Sequence, residues 1–210
     1  MNEHEARYKT DELLEQASLH EKHSSISAAE KEFADSETAE KVFSTLKKML
    51  HNIHDWNEHA MLTSFALFNE NGVETTAEDF EIGGFMRISL KGAMKYDWVK
   101  IVDIYEAENE FVLKVKPSFD PTDETRDKDV TSHFFTDEAE NNFCLVKKIN
   151  NVGLYVIGLH EKMNSSETSN SLETIRNAAV NLGSYFGVQE GEWEKFCHHF
   201  LEDAEKRSGK

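Results

Sequence analysis

The stretch Phe143-Cys144-Leu145-Val146-Lys147-Lys148-Ile149-Asn150-Asn151-Val152-Gly153-Leu154-Tyr155-Val156-Ile157-Gly158-Leu159-His160 decides the fold class. Two apolar runs, Phe143 to Ile149 and Val152 to His160, flank Asn150-Asn151, a residue pair that tolerates the positive φ of a primed two-residue turn. Strands joined so tightly must run antiparallel, because a parallel crossover needs a dozen or more residues. The same period of two continues toward the N-terminus. Phe111, Leu113 and Val115 alternate with Val112, Lys114 and Lys116 until Pro117 removes a ladder donor. Trp98 to Tyr105 forms another run. Met86, Ile88 and Leu90 alternate with Phe85, Arg87 and Ser89, and Phe65 to Phe68 ends at the turn residues Asn69-Glu70-Asn71-Gly72. These runs predict about six strands, mostly antiparallel.

The flanks read as helix. Asp35 or Ser36 can cap a stripe of Val42, Leu46, Met49, Ile53 and Ala60, widened by Phe43, Leu50 and Trp56, which predicts a helix from about 37 to 59. Asn170 and Glu173 have capping-box spacing ahead of Leu172, Ile175, Ala179, Leu182 and Phe186, with Gly187 as a stop. A last helix carries Trp193, Phe196, Cys197 and Phe200. The fold class is α+β: an antiparallel sheet flanked by an N-terminal helix and two C-terminal helices. Residues 1–35 are acidic and poor in large apolar side chains, and are expected as a mobile or lightly docked helical arm. Residues 36–205 form a single α+β domain and 206–210 a frayed tail. Residues 118–130 make a long charged loop of the kind that is functional or disordered.

The 210 residues carry 23 Lys plus Arg against 40 Asp plus Glu, a formal charge of −17. That excess repels a phosphate backbone and an anionic bilayer, so neither nucleic acid nor membrane is an expected partner. No apolar run approaches the roughly 20 residues of a spanning helix, and Asn2-Glu3-His4-Glu5 does not open a signal peptide, so a cytoplasmic location is expected. Cys144 and Cys197 stand far apart without zinc or disulfide spacing, as buried small hydrophobes do. No phosphate loop, dinucleotide fingerprint or nucleophile elbow is present, and no cofactor is expected.

The ten histidines invite a metal reading that their placement does not support. His51, His54, Asp55 and Glu58 project from the side opposite the Val42 and Leu46 stripe, as a solvated face with His–carboxylate pairs would. His198 and His199 flank Cys197, so three ligands do not converge from one helix. His160-Glu161-Lys162-Met163-Asn164 begins like a zinc-protease signature but ends in Asn and follows a strand, so no metal site is expected. The candidate binding residues are Asp97, His133, His160, Glu161 and Asn164, all at strand ends or loop rims, where polar side chains meet ligands.

Phe65-x-Leu67-x-x-x-x-Gly72, Gly84-Phe85-Met86-Arg87-Ile88, Tyr96-Asp97-Trp98-Val99, Lys116-Pro117-Ser118, His133-Phe134-Phe135 and Gly158-Leu159-His160-Glu161 with Asn164 together resemble a bacterial protein family common in Bacteroidota. The likeness spans about residues 56 to 190. Where that family reads Gly-Asp-x-Ile-Arg-Ile this chain has Phe85 for the Asp, and Glu161-Lys162 stands where Arg-Asn-Glu is usual. The resemblance implies no established activity and suggests an association with type VI secretion loci. The order of elements is also similar to the helix-grip lipid-binding folds.

Three functional expectations follow. The first is a non-enzymatic adaptor that binds another protein through its acidic arm and charged loop. The alternative is a binder of a small apolar ligand, held between sheet and C-terminal helix by Met86, Ile88, Trp98, Leu113 and Ile157. The third is an enzyme using His133 or His160 with Asp97 or Glu161.

Overall fold

A computed structural model describes residues 7–60, 63–75, 80–90, 96–125, 131–162 and 185–209. The chain begins with α1 (Lys9–Leu19) and a short turn of 3-10 helix, then runs through β1 (Ser25–Glu32), α2 (Ser36–His51), α3 (Ile53–His59), β2 (Thr63–Phe68), β3 (Phe85–Leu90), β4 (Asp97–Ala107), β5 (Glu110–Pro117), β6 (Glu140–Lys148), β7 (Asn151–Leu159) and α4 (Tyr185–Ser208). The strands form one antiparallel sheet in the order β1-β7-β6-β5-β4-β3-β2. A long C-terminal helix lies in the curl of this sheet, which makes the architecture helix-grip-like.

Alternation sorts the strand residues onto two faces. The concave face carries Ala29, Phe65, Leu67, Met86, Val99, Ile101, Phe111, Leu113, Val115, Phe143, Leu145, Val152, Leu154 and Val156. Against it pack Val42, Leu46, Met49 and Leu50 of α2, Ile53 and Trp56 of α3, and Phe196, Cys197, Phe200 and Leu201 of α4. Trp56 lies at the centre, its ring 4.6 Å from Phe143 and 5.2 Å from both Phe80 and Phe196, with its indole N–H donating to the Leu50 carbonyl at 3.1 Å. That bond settles the one polar atom of a fully buried ring.

The expected helix over 37–59 is broken at Asn52. Asn52 leaves helical backbone and accepts from the His54 N–H at 2.8 Å, so it caps α3 while ending α2, whose own start is capped by Asp35. The tight turn also differs from its expected position by one residue: Lys148 pairs with Asn151, so Ile149-Asn150 turns the corner, with Ile149 at φ +56°. Trp98 and Ile157 were expected beside Met86, Ile88 and Leu113 but lie on the convex face. A bulge between Ile101 and Asp103 reverses the alternation of β4, so Ile104 shares the concave side with Leu113 while Trp98 packs on Phe68 and Phe85.

The acidic N-terminal stretch differs most from its expected form. Its second half is β1, an edge strand paired with β7 from Ser25–Gly158 to Glu32–Asn151. Its first half is α1, seated on the convex face, where Leu13 and Ala17 bury against Val112, Cys144, Ile157 and Leu159. The anchor is Glu110, 2 % exposed, whose carboxylate accepts from the Lys9 N–H at 3.0 Å, the Thr10 N–H at 2.6 Å and the Thr10 hydroxyl at 2.7 Å. A carboxylate from a strand thus satisfies the orphan amides of the helix start. The C-terminal residues 206–208, expected to fray, continue α4, and Arg207 holds Asp55, Glu58 and Asp203.

At the other edge of the sheet, the Asn57 side chain accepts from the Phe65 N–H at 2.7 Å and donates to the Phe65 carbonyl at 2.9 Å. The Thr75 N–H caps the Leu67 carbonyl on the same side. The expected helix over Leu172 to Phe186 lies almost wholly outside the described residues.

Candidate functional site

α4 makes its main contacts with α2, β1 and β7. Small residues on β1 allow this approach: Cys197 Sγ lies 3.9 Å from the Ser27 carbonyl, and Ala29 is in the same core. The long helix therefore lies toward one side of the curl. The concave face of β3, β4 and β5 contributes Met86, Ile88, Val99, Ile101, Leu113 and Val115, a contiguous apolar lining across three strands that is buried except at half-buried Ile88. Trp193, at 5.2 Å from Phe143 and 6.1 Å from Phe65, marks where α4 borders it.

The rim of this surface is polar. Asp97 opens β4 directly opposite Ile88, on the concave side. The chain beyond β5 comes back to that point through three backbone bonds: Ser118 N–H to the Trp98 carbonyl at 2.8 Å, Ser132 N–H to the Ser118 carbonyl at 2.8 Å, and Trp98 N–H to the Ser132 carbonyl at 2.9 Å. This return lets Asp97 accept from the Phe134 N–H at 3.1 Å and places His133 within reach of the Asp97 charge. His133 is buried, and its Nδ1 accepts from the Phe135 N–H at 3.0 Å, which leaves the proton of the neutral ring on Nε2. Burial pushes the imidazole below its ordinary value, against the opposing pull of Asp97, so the ring is neutral near pH 7. The rim thus combines a carboxylate with a buried, neutral imidazole, each held by a backbone amide of the returning loop.

His160 and Glu161 belong to a different cluster. They follow β7, three strand spacings from β4, which is about 14 Å across the sheet. Glu161 accepts from the Ser25 hydroxyl at 2.9 Å and donates its backbone N–H to the His23 carbonyl, which ties the end of β7 to the start of β1. His160 is exposed at φ +56°, its ring 6.1 Å from that of His20. Asp97 and His133 are therefore brought together, His160 and Glu161 are held apart from Asp97, and Asn164 lies outside the described residues.

The helix face expected to hold solvated His–carboxylate pairs takes its partners from other elements. His51 pairs with Glu106 of β4 at 3.1 Å and packs on Phe111, while Asp55 and Glu58 meet Arg207 of α4. Val99, Ile101 and Val115 escaped the sequence reading of the apolar surface: Val115 shares its parity with Leu113, whereas Val99 and Ile101 alternate with Trp98, the residue expected inside. The return of residues 131–135 to β4 left no comparable signal.

No family model and no curated protein matches the chain, so no sequence family stands behind the resemblance of its segments. Solved structures share its course at low identity. A hypothetical protein of Helicobacter pylori is 9 % identical, with 98 % of this chain and 96 % of that one covered and a TM-score of 0.47. A conserved protein of Geobacillus kaustophilus is 14 % identical over 87 % of this chain and 95 % of that one, TM-score 0.45. Norcoclaurine synthase of Thalictrum flavum is 7 % identical over 86 % of this chain and 96 % of that one, TM-score 0.40.

Proposed function

We propose that this protein binds an apolar small molecule on the concave face of β3, β4 and β5, with the Asp97–His133 rim meeting its polar end. The observation that supports this reading is the contiguous apolar lining of Met86, Ile88, Val99, Ile101 and Val115 on three neighbouring strands, which reaches half-buried Ile88 at the polar rim. Ligand sites are concave, mostly apolar and furnished with a few convergent polar groups, which is the combination this face and its rim offer. The ligand-binding alternative is accordingly taken ahead of the adaptor role that the sequence put first.

Titration with the apolar fluorophore N-phenyl-1-naphthylamine tests it. Saturable enhancement at a stoichiometry of one is expected, with contacts from the probe to the Met86 methyl group in nuclear Overhauser spectra of the unaltered chain. Ile88→Trp, which fills the surface near its rim, should abolish the enhancement while the melting midpoint is kept. No saturable enhancement, or contacts only to convex-face residues such as Leu14, would overturn the proposal.

A further inference from the structure

The convex face has a second half that α1 leaves uncovered, and its charge is opposite to that of the chain. Arg87 and Lys100 project from it on β3 and β4, with Lys114 and Lys116 beside them on β5. Among the described residues the carboxylate paired with them is Glu140, 3.1 Å from Lys114 and 3.8 Å from Lys116, while nearby Asp103 is taken by Lys9 of α1 at 2.8 Å. Lys100 and Lys116 stand directly opposite one another across β4 and β5, an arrangement that destabilises a sheet unless an anion lies between or above them.

Arg87 is the most unusual of the four. Its guanidinium carbon lies 4.7 Å from the Tyr96 ring centroid and 5.3 Å from that of Phe68. Its Nε is buried and has no hydrogen-bond partner. Among the described residues no carboxylate pairs with Arg87 or with Lys100, whose ammonium lies 5.5 Å from the Phe85 centroid. The rings lie against the guanidinium, and its two terminal N–H2 groups are the ones with which an arginine takes a carboxylate through two parallel bonds. Phe85, Trp98 and Phe119 form an aromatic bed under the two cations.

We propose that this face docks an acidic peptide segment of a partner protein, with one carboxylate on Arg87, a second over the Lys100–Lys116 pair, and intervening apolar residues against Tyr96. A local patch four cations wide suits a short segment. An extended polyanion such as a bilayer or a nucleic acid meets the repulsion of the whole chain at −17.

The test is fluorescence anisotropy of a fluorescein-labelled octaglutamate peptide with the full chain, at low and at physiological ionic strength. Saturable binding that weakens with salt is expected, reduced roughly tenfold or more by Arg87→Gln, several-fold by the exposed Lys100→Gln, and unchanged by Lys48→Gln on α2. Circular dichroism confirms that each variant folds, and should Arg87→Gln not fold, the Lys100→Gln/Lys116→Gln double variant carries the same expectation. Absence of saturable binding at millimolar peptide, or equal weakening by Lys48→Gln and Lys100→Gln, overturns the proposal. Retention on phosphatidylserine vesicles without peptide binding overturns it in favour of a lipid surface.

Discussion

The two halves of the sheet are built by different rules. β1, β7, β6 and β5 are packed on both faces, by α2 and α4 on the concave side and by α1 on the convex side. Among the described residues, the convex side of β4, β3 and β2 carries the ring cluster of Phe68, Phe85 and Trp98 with Phe119 and no helix. Their concave side faces away from the main packing of α4. Both proposed binding surfaces lie on this second half, which the long helices cover least. This is the division expected when a scaffold holds still so that a surface beside it can receive a ligand.

The comparison breaks most sharply at Glu110. Removing its carboxylate by Glu110→Ala leaves the Lys9 and Thr10 amides and the Thr10 hydroxyl buried without an acceptor, and α1 loses its anchor. A loss of roughly 2 to 4 kcal/mol is expected in urea unfolding, the largest of the effects considered. A change below about 0.5 kcal/mol would mean that α1 contributes little to the doubly covered half.

In the other half the corresponding anchor is a turn. Gly72 has φ +74°, and a Cβ there would lie 2.4 Å from the Pro121 carbonyl oxygen, so the β2–β3 connection and the loop after β5 fit together only through glycine. Gly72→Ala should cost about 1 to 3 kcal/mol and loosen that loop. Hydrogen exchange localises the effect: protection lost in residues 118–123 and kept in β7 supports the division, and uniform loss defeats it.

The rim should respond to acid. Because burial holds His133 below its ordinary value, the unfolded chain takes up a proton there before the folded chain does. Stability therefore falls as pH drops below about 6.5 and is indifferent to His133 above it. His133→Gln should flatten that part of the pH profile, and parallel profiles for the two proteins would show that the ring is not held neutral.

The smallest expected effect has the opposite sign. Ile149 is a β-branched residue at φ +56°, 82 % exposed, in the turn of the doubly covered half. Ile149→Gly should raise stability by about 0.5 to 1 kcal/mol, read as a shift of the thermal midpoint by a few degrees. The well-packed β6–β7 ladder holds a strained turn that the Gly72 corner could not tolerate.

Most of the sheet was legible because its period is local. Six strands stand out by alternation, and their short connections give the antiparallel order. β1 was not legible, since Ser25-Ile26-Ser27-Ala28-Ala29 has almost none of the β-branched or aromatic residues that mark a strand. Its small residues are there because α4 packs closely over Ser27 and Ala29, a long-range requirement. The docking of α1 was hidden for the same reason, because its capping group is on a strand 100 positions away. At the site, the type and strand-end position of Asp97 and His133 could be read, but their meeting depends on Ser118 and Ser132 pinning a loop to β4, and nothing in the spacing declares that. Met86, Ile88 and Leu113 were placed on one face correctly, while the bulge after Ile101 defeated the extrapolation that put Trp98 with them.

Asn57 bears on how copies of this chain behave when crowded. An open sheet ends in strands whose outward amides and carbonyls can template another strand, and β2 is such an end. At Phe65 the Asn57 amide occupies both outward groups as a neighbouring strand would, and Thr75 occupies the next carbonyl. The Asn57 side chain and the Thr75 amide thus end the ladder at this border, so that polymerisation along β2 must first displace partners already in place.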